Sequence, residues 1–432
     1  MTSDQMKSIT EHESEVRSYV RNFPAVFEKA RGSWLYDTDG NAYLDFFAGA
    51  SVLNYGHNHP ELKQLLLDYV AGDNITHSLD MATVARAEFL ETFHRLILEP
   101  RNMDYKVQFP GPAGNNAVEA ALKIARKVKE REKIMSFTNA FHGMTLGALS
   151  ITGNSFKRQG AGLPLTHSDS MPYCDYFGPA HNTIEYIDRM LEDSGSGMDL
   201  PAAAVVETVQ AEGGVKVATD DWLRGLEAVC RKYDIMLIVD DIQTGNGRCG
   251  RFFSFEEAGI KPDVVTVSKS VSGYGLPMAL TLVKPEYDVW EPGEHNGTFR
   301  GNNMAFVTAK RTIELFWSDD SLERDIARRT RITEEALEEI CRKYPEAEGT
   351  VRGRGLMQAI EFGNKDLAGK VSQIAFRNRL IIETAGPDDE VLKLLPPLTT
   401  SDDDLRKGLE IIDKSLASAL QDLGITRKAA SE

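Results

Sequence analysis

Asp240 and Lys269 are the two residues whose types and settings could do chemistry on a small ligand. Asp240 closes an apolar run inside LIVDDIQTGNGRCG, residues Leu237–Gly250. Two carboxylates at the end of a buried strand are costly unless something compensates their charge. Such an aspartate caps a helix, joins a salt bridge or pairs with a protonated ligand nitrogen. Lys269 follows a second apolar run in PDVVTVSKSVSGYGLP. A lysine there is either an ordinary surface group or a partly desolvated amine. A desolvated amine sheds its proton and condenses with an aldehyde.

Three further stretches bear on the same question. Gly111-Pro-Ala-Gly-Asn-Asn-Ala-Val-Glu119 leads into a helical pattern. A Gly-rich turn at a helix start offers free N–H groups and the positive end of the helix dipole, which suits a phosphate. Without the Lys-Ser or Lys-Thr of a nucleotide loop, a single small phosphate fits better than a triphosphate. Phe141-His142-Gly143 puts an aromatic where it could stack on a flat ligand or simply fill core. His295–Asn303 (HNGTFRGNN) is polar, and Thr298 could donate to a phosphate. Gly245–Gly250 matches GxGxxG literally, but no helix start follows it, so a turn is expected rather than a dinucleotide site. Together these groups specify a flat, phosphorylated, protonated heterocycle that carries an aldehyde. Pyridoxal 5′-phosphate meets that description.

The elements that would position these residues are legible in outline. Lys133–Phe137, Ala202–Val206, Ile235–Val239, Val264–Val267 and Ala279–Val283 are short apolar runs, as in strands buried on both faces. Helical patterns over Asn116–Glu130 and Asp220–Lys232 lie between them. This alternation predicts an α/β fold with a mainly parallel sheet, whose ligands sit beyond the carboxyl ends of the strands. Asp240 and Lys269 both fall at such ends. From about Thr312 onward the pattern predicts a smaller α+β unit. Tyr36-Asp-Thr-Asp-Gly40 reads as a hairpin turn. The expected division is 1–56 as an N-terminal segment joining the small unit, 57–311 as the large cofactor-binding unit, and 312–432 as the small unit.

Composition removes several other classes. The chain has 432 residues, with 65 acidic and 49 basic side chains and a net charge of −16. That balance argues against a nucleic-acid face or a polybasic membrane anchor. No apolar run is long enough to span a membrane, and no secretory leader is expected at Met1–Val16. The four cysteines are far apart and lack metal-ligand spacing, so no metal site is expected and a reducing cytoplasm is the expected home.

Asp240-Asp-Ile-Gln-Thr-Gly-Asn-Gly-Arg248, followed by Pro262-Asp and Ser268-Lys269, resembles the class III aminotransferases, which use pyridoxal phosphate on fold type I. The resemblance runs nearly the whole chain, from Tyr36–Gly40 and Gly56-His-Asn-His-Pro60 to Leu395-Pro-Pro397. It implies that Lys269 bonds the cofactor aldehyde and that Asp240 binds the pyridine nitrogen. It places Gln243 on the 3-hydroxyl oxygen, Ile242 and Phe141 on the two ring faces, and His142 beside the ring. Gly114 and Asn115 would hold the phosphate, helped by Thr298 from the other subunit of a homodimer. Glu212, in Gln210-Ala-Glu-Gly-Gly214, would stand near the substrate, with Glu207 behind it. Two departures stand out. A family hydroxyl is missing at Ala113, and the family's carboxylate-binding arginine is Lys393, in Lys393-Leu-Leu-Pro-Pro397. Phe46-Phe-Ala-Gly-Ala50, Leu53–His57 and Ser272–Leu280 resemble one subgroup. That subgroup moves an amino group from L-glutamate to L-aspartate 4-semialdehyde, on the route to the compatible solute ectoine. Other ω-aminotransferases acting on 4-aminobutyrate or ornithine, and an aminomutase using the same Lys and Asp, remain alternatives.

Overall fold

The computed structural model describes residues 4–426; the outermost ends of the first and third expected units, 1–3 and 427–432, lie outside the described residues. At its centre is a seven-stranded sheet. Its spatial order is Lys106–Gln108, Leu280–Val283, Val264–Val267, Met236–Asp240, Ala203–Val206, Ile134–Phe137 and Ser168–Met171. From Val264–Val267 to Ser168–Met171 the strands run parallel. Most of these strands are fully buried, because helices cover both faces and leave no side for polar residues. Leu280–Val283 runs antiparallel to both neighbours. The chain between it and Val267 contains only a 3₁₀ turn, with no helix to carry a parallel crossover.

The flanking helices follow from their caps and apolar faces. Gly114–Lys129 buries Ala117, Val118, Ala121, Leu122 and Ile124 against the sheet. Asp220–Lys232 starts where the Thr219 side chain accepts from the Trp222 N–H, with Asp220 and Asp221 in its first turn and Arg231 and Lys232 in its last.

A second core unites the two ends of the chain. The hairpin Trp34–Asp37/Ala42–Asp45 turns where Asp37 Oδ1 accepts from the N–H groups of Asp39 and Asn41. Its inner strand pairs in parallel with Leu380–Ile381. Leu44 and Phe46 pack among Leu337, Ile360, Val371, Leu392, Leu405 and Ile412. A four-stranded antiparallel sheet (350–354, 357–361, 391–394 and 383–385) and the helices Ser321–Lys343, Lys365–Arg377 and Asp402–Asp422 complete this part. A cut between residues 311 and 312 would fall inside one helix, Asn303–Phe316.

Two features link this part to the central sheet. Arg248 is wholly buried, and its guanidinium donates to the carbonyls of Leu356 and Pro396 and to Asn54 Oδ1. After the hairpin, Ala48, Gly49, Ala50 and Ser51 make a left-handed turn, with φ of +48°, +58°, +56° and +71°. Three of these four carry a Cβ, and each such residue costs about 1–2 kcal/mol there.

Candidate active site

The carboxyl ends of the central strands open into a cavity of about 430 Å³. Gly114, Asn115, Phe141, His142, Glu212, Asp240, Ile242, Gln243 and Lys269 all line it. With Glu207, ten of the twelve residues given a role in the sequence therefore meet at one place.

Asp240 ends its strand with both oxygens engaged. Oδ1 accepts from Thr266 Oγ1 at 3.0 Å and from the Ile242 N–H at 3.2 Å. Oδ2 lies 2.7 Å from His142 Nδ1. Burial opposes a charged imidazolium at His142, but the Asp240 hydrogen bond and charge, with Glu207 adding, outweigh it and hold this histidine above its ordinary pKa. Asp241 points the other way. It is buried among the Thr244 and Ser254 hydroxyls and caps the turn that follows, so only the first of the two carboxylates faces the cavity.

Lys269 follows the end of Val264–Val267, at φ +53°, and its Nζ donates to the Ala50 carbonyl at 2.8 Å. Gln243 Nε2 donates to the same carbonyl at 3.2 Å. Burial lowers the Lys269 amine to about 8, so a substantial neutral fraction exists near physiological pH.

Glu212 is half-buried at the wall, 2.7 Å from Lys393 Nζ. Burial alone would raise its pKa; Lys393, then Lys269, overcome this and hold it at about 2. Lys393 is not at the wall. It is fully buried behind Glu212 and also contacts Glu383 at 3.1 Å, its partner across the two antiparallel strands. Burial opposes its charge, but Glu212 and Glu383 prevail and raise its pKa. As a direct contact for a substrate carboxylate, Lys393 is thus misplaced: strand pairing put it in the core, where only carboxylates could compensate it.

Thr298 does not reach the cavity of its own chain. It is exposed, and its carbonyl accepts from His77 Nε2 at 2.7 Å. Glu207, expected a layer back, lines the cavity itself. Its Oε2 accepts from the Phe141 N–H at 3.1 Å, and burial above all raises its carboxyl to about 8. Met144 and Thr145 also line the wall. Their only sequence signal was adjacency to Phe141–Gly143.

The cavity fits pyridoxal phosphate. A Cβ on Gly114 would press against Ile242 Cδ1 at 3.0 Å, and one on Gly143 would meet Asn115 Cβ at 2.7 Å, so both glycines keep the phosphate end open. His142 Nε2 is buried without a hydrogen-bond partner in the described structure. A lysine and an aspartate at strand ends, facing a Gly-rich helix start, are the parts of a pyridoxal-phosphate enzyme. Among the described residues no cluster of His, Cys, Asp and Glu could hold a metal ion.

Comparison with known proteins agrees. The family model for class III aminotransferases matches residues 16–416. A diaminobutyrate–2-oxoglutarate transaminase of Sporosarcina pasteurii is 57% identical over 412 residues, 95% of this chain and 96% of that protein. One from Streptomyces avermitilis is 58% identical over 405 residues, 94% of this chain and 96% of that protein. A solved ornithine aminotransferase from Toxoplasma gondii superposes with a TM-score of 0.83 at 26% identity, covering 98% of this chain and 96% of that one. The chain belongs to the class III aminotransferase family and is a pyridoxal-phosphate-dependent enzyme.

Proposed function

We propose that the chain transfers an amino group from L-glutamate to L-aspartate 4-semialdehyde, giving 2-oxoglutarate and L-2,4-diaminobutyrate. The observation that carries the chemistry is the buried Lys269 amine sharing one cavity with Asp240. Support for the substrates comes from relatives more than half identical over nearly the whole chain. When bound, pyridoxal phosphate supplies a carbonyl for the amine and a ring that withdraws charge from the reacting carbon.

The protein's own residues do the rest. Lys269 Nζ, neutral in part because it is buried, takes the proton from the donor's α-carbon and returns it on the other side of the transfer. Asp240 keeps the ring nitrogen protonated, and the His142 hydrogen bond fixes the carboxylate's orientation. Gln243 would hold the ring's 3-oxygen edge, and Phe141 and Ile242 would flank its faces. Gly114 and Asn115 present N–H groups at the helix start to the phosphate. Glu212, kept ionised by Lys393, presents a fixed negative charge to the ammonium group of an amino donor.

A homodimer with shared sites completes this reading. Ile75, Leu79, Met81 and Phe299 are 38–66% exposed, an apolar face near Thr298 of the sort that associates with a second copy. The division into a large unit at 57–311 and a small unit built from both chain ends is retained as a proposal, its boundary moved off the helix Asn303–Phe316. No helix of the described residues is long and apolar enough to cross a membrane. All four cysteines are free, which suits the proposed cytoplasmic location.

The test is a donor and acceptor screen on the purified protein. Diaminobutyrate with 2-oxoglutarate should yield glutamate far faster than 4-aminobutyrate or ornithine does. Preference for either of the latter would overturn the substrate assignment. Amino-group migration without any oxo-acid would overturn the reaction class.

A further inference from the structure

The left-handed turn at 48–51 touches the reacting lysine, and one buried carboxylate holds the turn in place. Asp45 Oδ1 accepts from the N–H groups of Phe47 and Ala48, both at 2.8 Å. Its Oδ2 lies 2.7 Å from His57 Nε2. His57 is pinned in turn, since its backbone N–H and carbonyl exchange bonds with Gly32, both at 2.8 Å. On the far side the Leu53 N–H returns to the Ala48 carbonyl at 2.9 Å, and the Ser270 hydroxyl donates to the Ser51 carbonyl. A left-handed stretch with side chains persists only where its surroundings over-determine it. Here the surroundings are Asp45 on one side and the residue after Lys269 on the other. What the turn presents is the Ala50 carbonyl, which receives both Lys269 Nζ and Gln243 Nε2.

We propose that Asp45 is a positioning residue for the reaction: through the left-handed turn it fixes the Ala50 carbonyl, which holds the amine of Lys269 at one point of the cavity whenever that amine is free of a covalent partner. The inference rests on the aminotransfer reading, because that reaction requires the lysine to let go of its carbonyl partner and take it back. An amine that donates one N–H to a fixed acceptor has its remaining valences turned toward the cavity. It can then accept a proton without first finding its orientation. Alanine at 48 and 50, in place of the more permissive glycine, narrows the freedom of the turn once Asp45 has closed it.

The test uses the full chain with three substitutions. Asp45→Ala removes the acceptor for both N–H groups. Asp45→Asn keeps an Oδ1 that can still accept them. Ala50→Gly keeps the carbonyl and relieves its backbone. The first readout is a single half-reaction with saturating glutamate, followed by the absorbance of the cofactor. The second is the rate at which acetic anhydride labels Lys269 in the cofactor-free chain at one pH, by peptide mass, relative to exposed lysines. The groups that act on the Lys269 charge, Glu212, Lys393, Glu383 and Asp240, are untouched in every variant.

Asp45→Ala should slow the half-reaction by about ten- to a hundredfold, the scale of a misplaced reacting group. Its KM for glutamate should stay near that of the parent, and Lys269 labelling should rise several-fold as the amine comes loose. Asp45→Asn should recover most of both losses. Ala50→Gly should slow the half-reaction and raise labelling in the same directions as Asp45→Ala by a smaller factor, because glycine loosens the carbonyl that holds the amine, and a variant that leaves both readouts at the parent level would count against the proposal. A folded Asp45→Ala that reacts and labels like the parent would overturn the proposal. So would a slowed variant whose labelling is unchanged, because its defect would lie elsewhere. If Asp45→Ala does not fold, His57→Gln, which disturbs only Oδ2, should move both readouts in the same directions by a smaller factor, and no movement would count against the proposal. A parent enzyme inert toward glutamate would instead sink the aminotransfer reading, and labelling would still decide the place of Asp45.

Discussion

Lys269 and Asp240 divide the chemistry, and their substitutions should fail differently. Lys269→Ala should cut turnover by about 10²–10⁴-fold or more, the range of a lost proton carrier, while far-UV circular dichroism stays native. In the parent, the half-reaction with glutamate should quicken as pH rises through about 8, because below that the buried amine is increasingly an ammonium that cannot accept a proton. A rate flat across that region would assign the proton transfer to another group. Asp240→Asn should cost about 1.5–3 kcal/mol of a charge-assisted hydrogen bond, read as a slower chemical step at saturating cofactor. Loss of cofactor with normal saturated rates would make Asp240 a binding group only. Lys393→Met should destabilise the fold by about 3–5 kcal/mol in denaturant melts, because it strands Glu212 and Glu383 against each other without the cation that they share. It should also raise the Glu212 carboxyl from its depressed value. These roles were unevenly legible. Asp240 and Lys269 could be read because each ends an apolar run, and strand ends converge in such sheets. The burial of Lys393 could not be read, since its carboxylates come from Glu212, far back along the chain, and from Glu383 on the neighbouring strand.

Strands and helices that carry the site were readable wherever burial imposes a pattern. Met236–Asp240 and Val264–Val267 are plain because both faces are covered, and Asp220–Lys232 because caps and charges mark its two ends. Ser168–Met171 is short, polar at three of its four residues and at the sheet edge, so nothing in its composition announces a strand. The left-handed turn is likewise silent, since three of its four residues carry side chains that disfavour it. Packing between elements offers a sharper test. The helix Asp402–Asp422 lays Gly408 on the ring of Phe46, and an added Cβ would meet Phe46 Cζ at 2.1 Å. Alanine there would gain about 1 kcal/mol in helix propensity. The buried ring has little room to yield, and overpacking of this kind costs about 1–3 kcal/mol, so Gly408→Ala should lower the melting temperature. An unchanged or higher melting temperature would mean that the helix can shift away from the strand before the turn.

At the level of the whole molecule, the site is expected to need two copies of the chain. Thr298 does not line the cavity of its own chain and lies beside an exposed apolar face. If it serves the other cavity, Lys269→Ala and Thr298→Ala protomers, each impaired alone, should complement when mixed. Half of random dimers would then be mixed, each with one intact site, so activity should approach about a quarter of wild type. No gain, with subunit exchange verified by mass, would place Thr298 outside the site. Arg248 and the hairpin carry a consequence for how the molecule is made. A ribosome delivers the central strands, up to Val283, before it has made the carbonyls of Leu356 and Pro396 that Arg248 needs. The inner hairpin strand, among the first segments delivered, waits for Leu380–Ile381. Phe46, two residues before the left-handed turn, is fastened by Ile381 and Leu395. The wall that holds the lysine therefore cannot set until nearly the entire message has been read. Nascent chains stalled short of residue 395 should present an exposed, protease-sensitive 45–57 segment, and that segment should become protected only as the last strand leaves the exit tunnel.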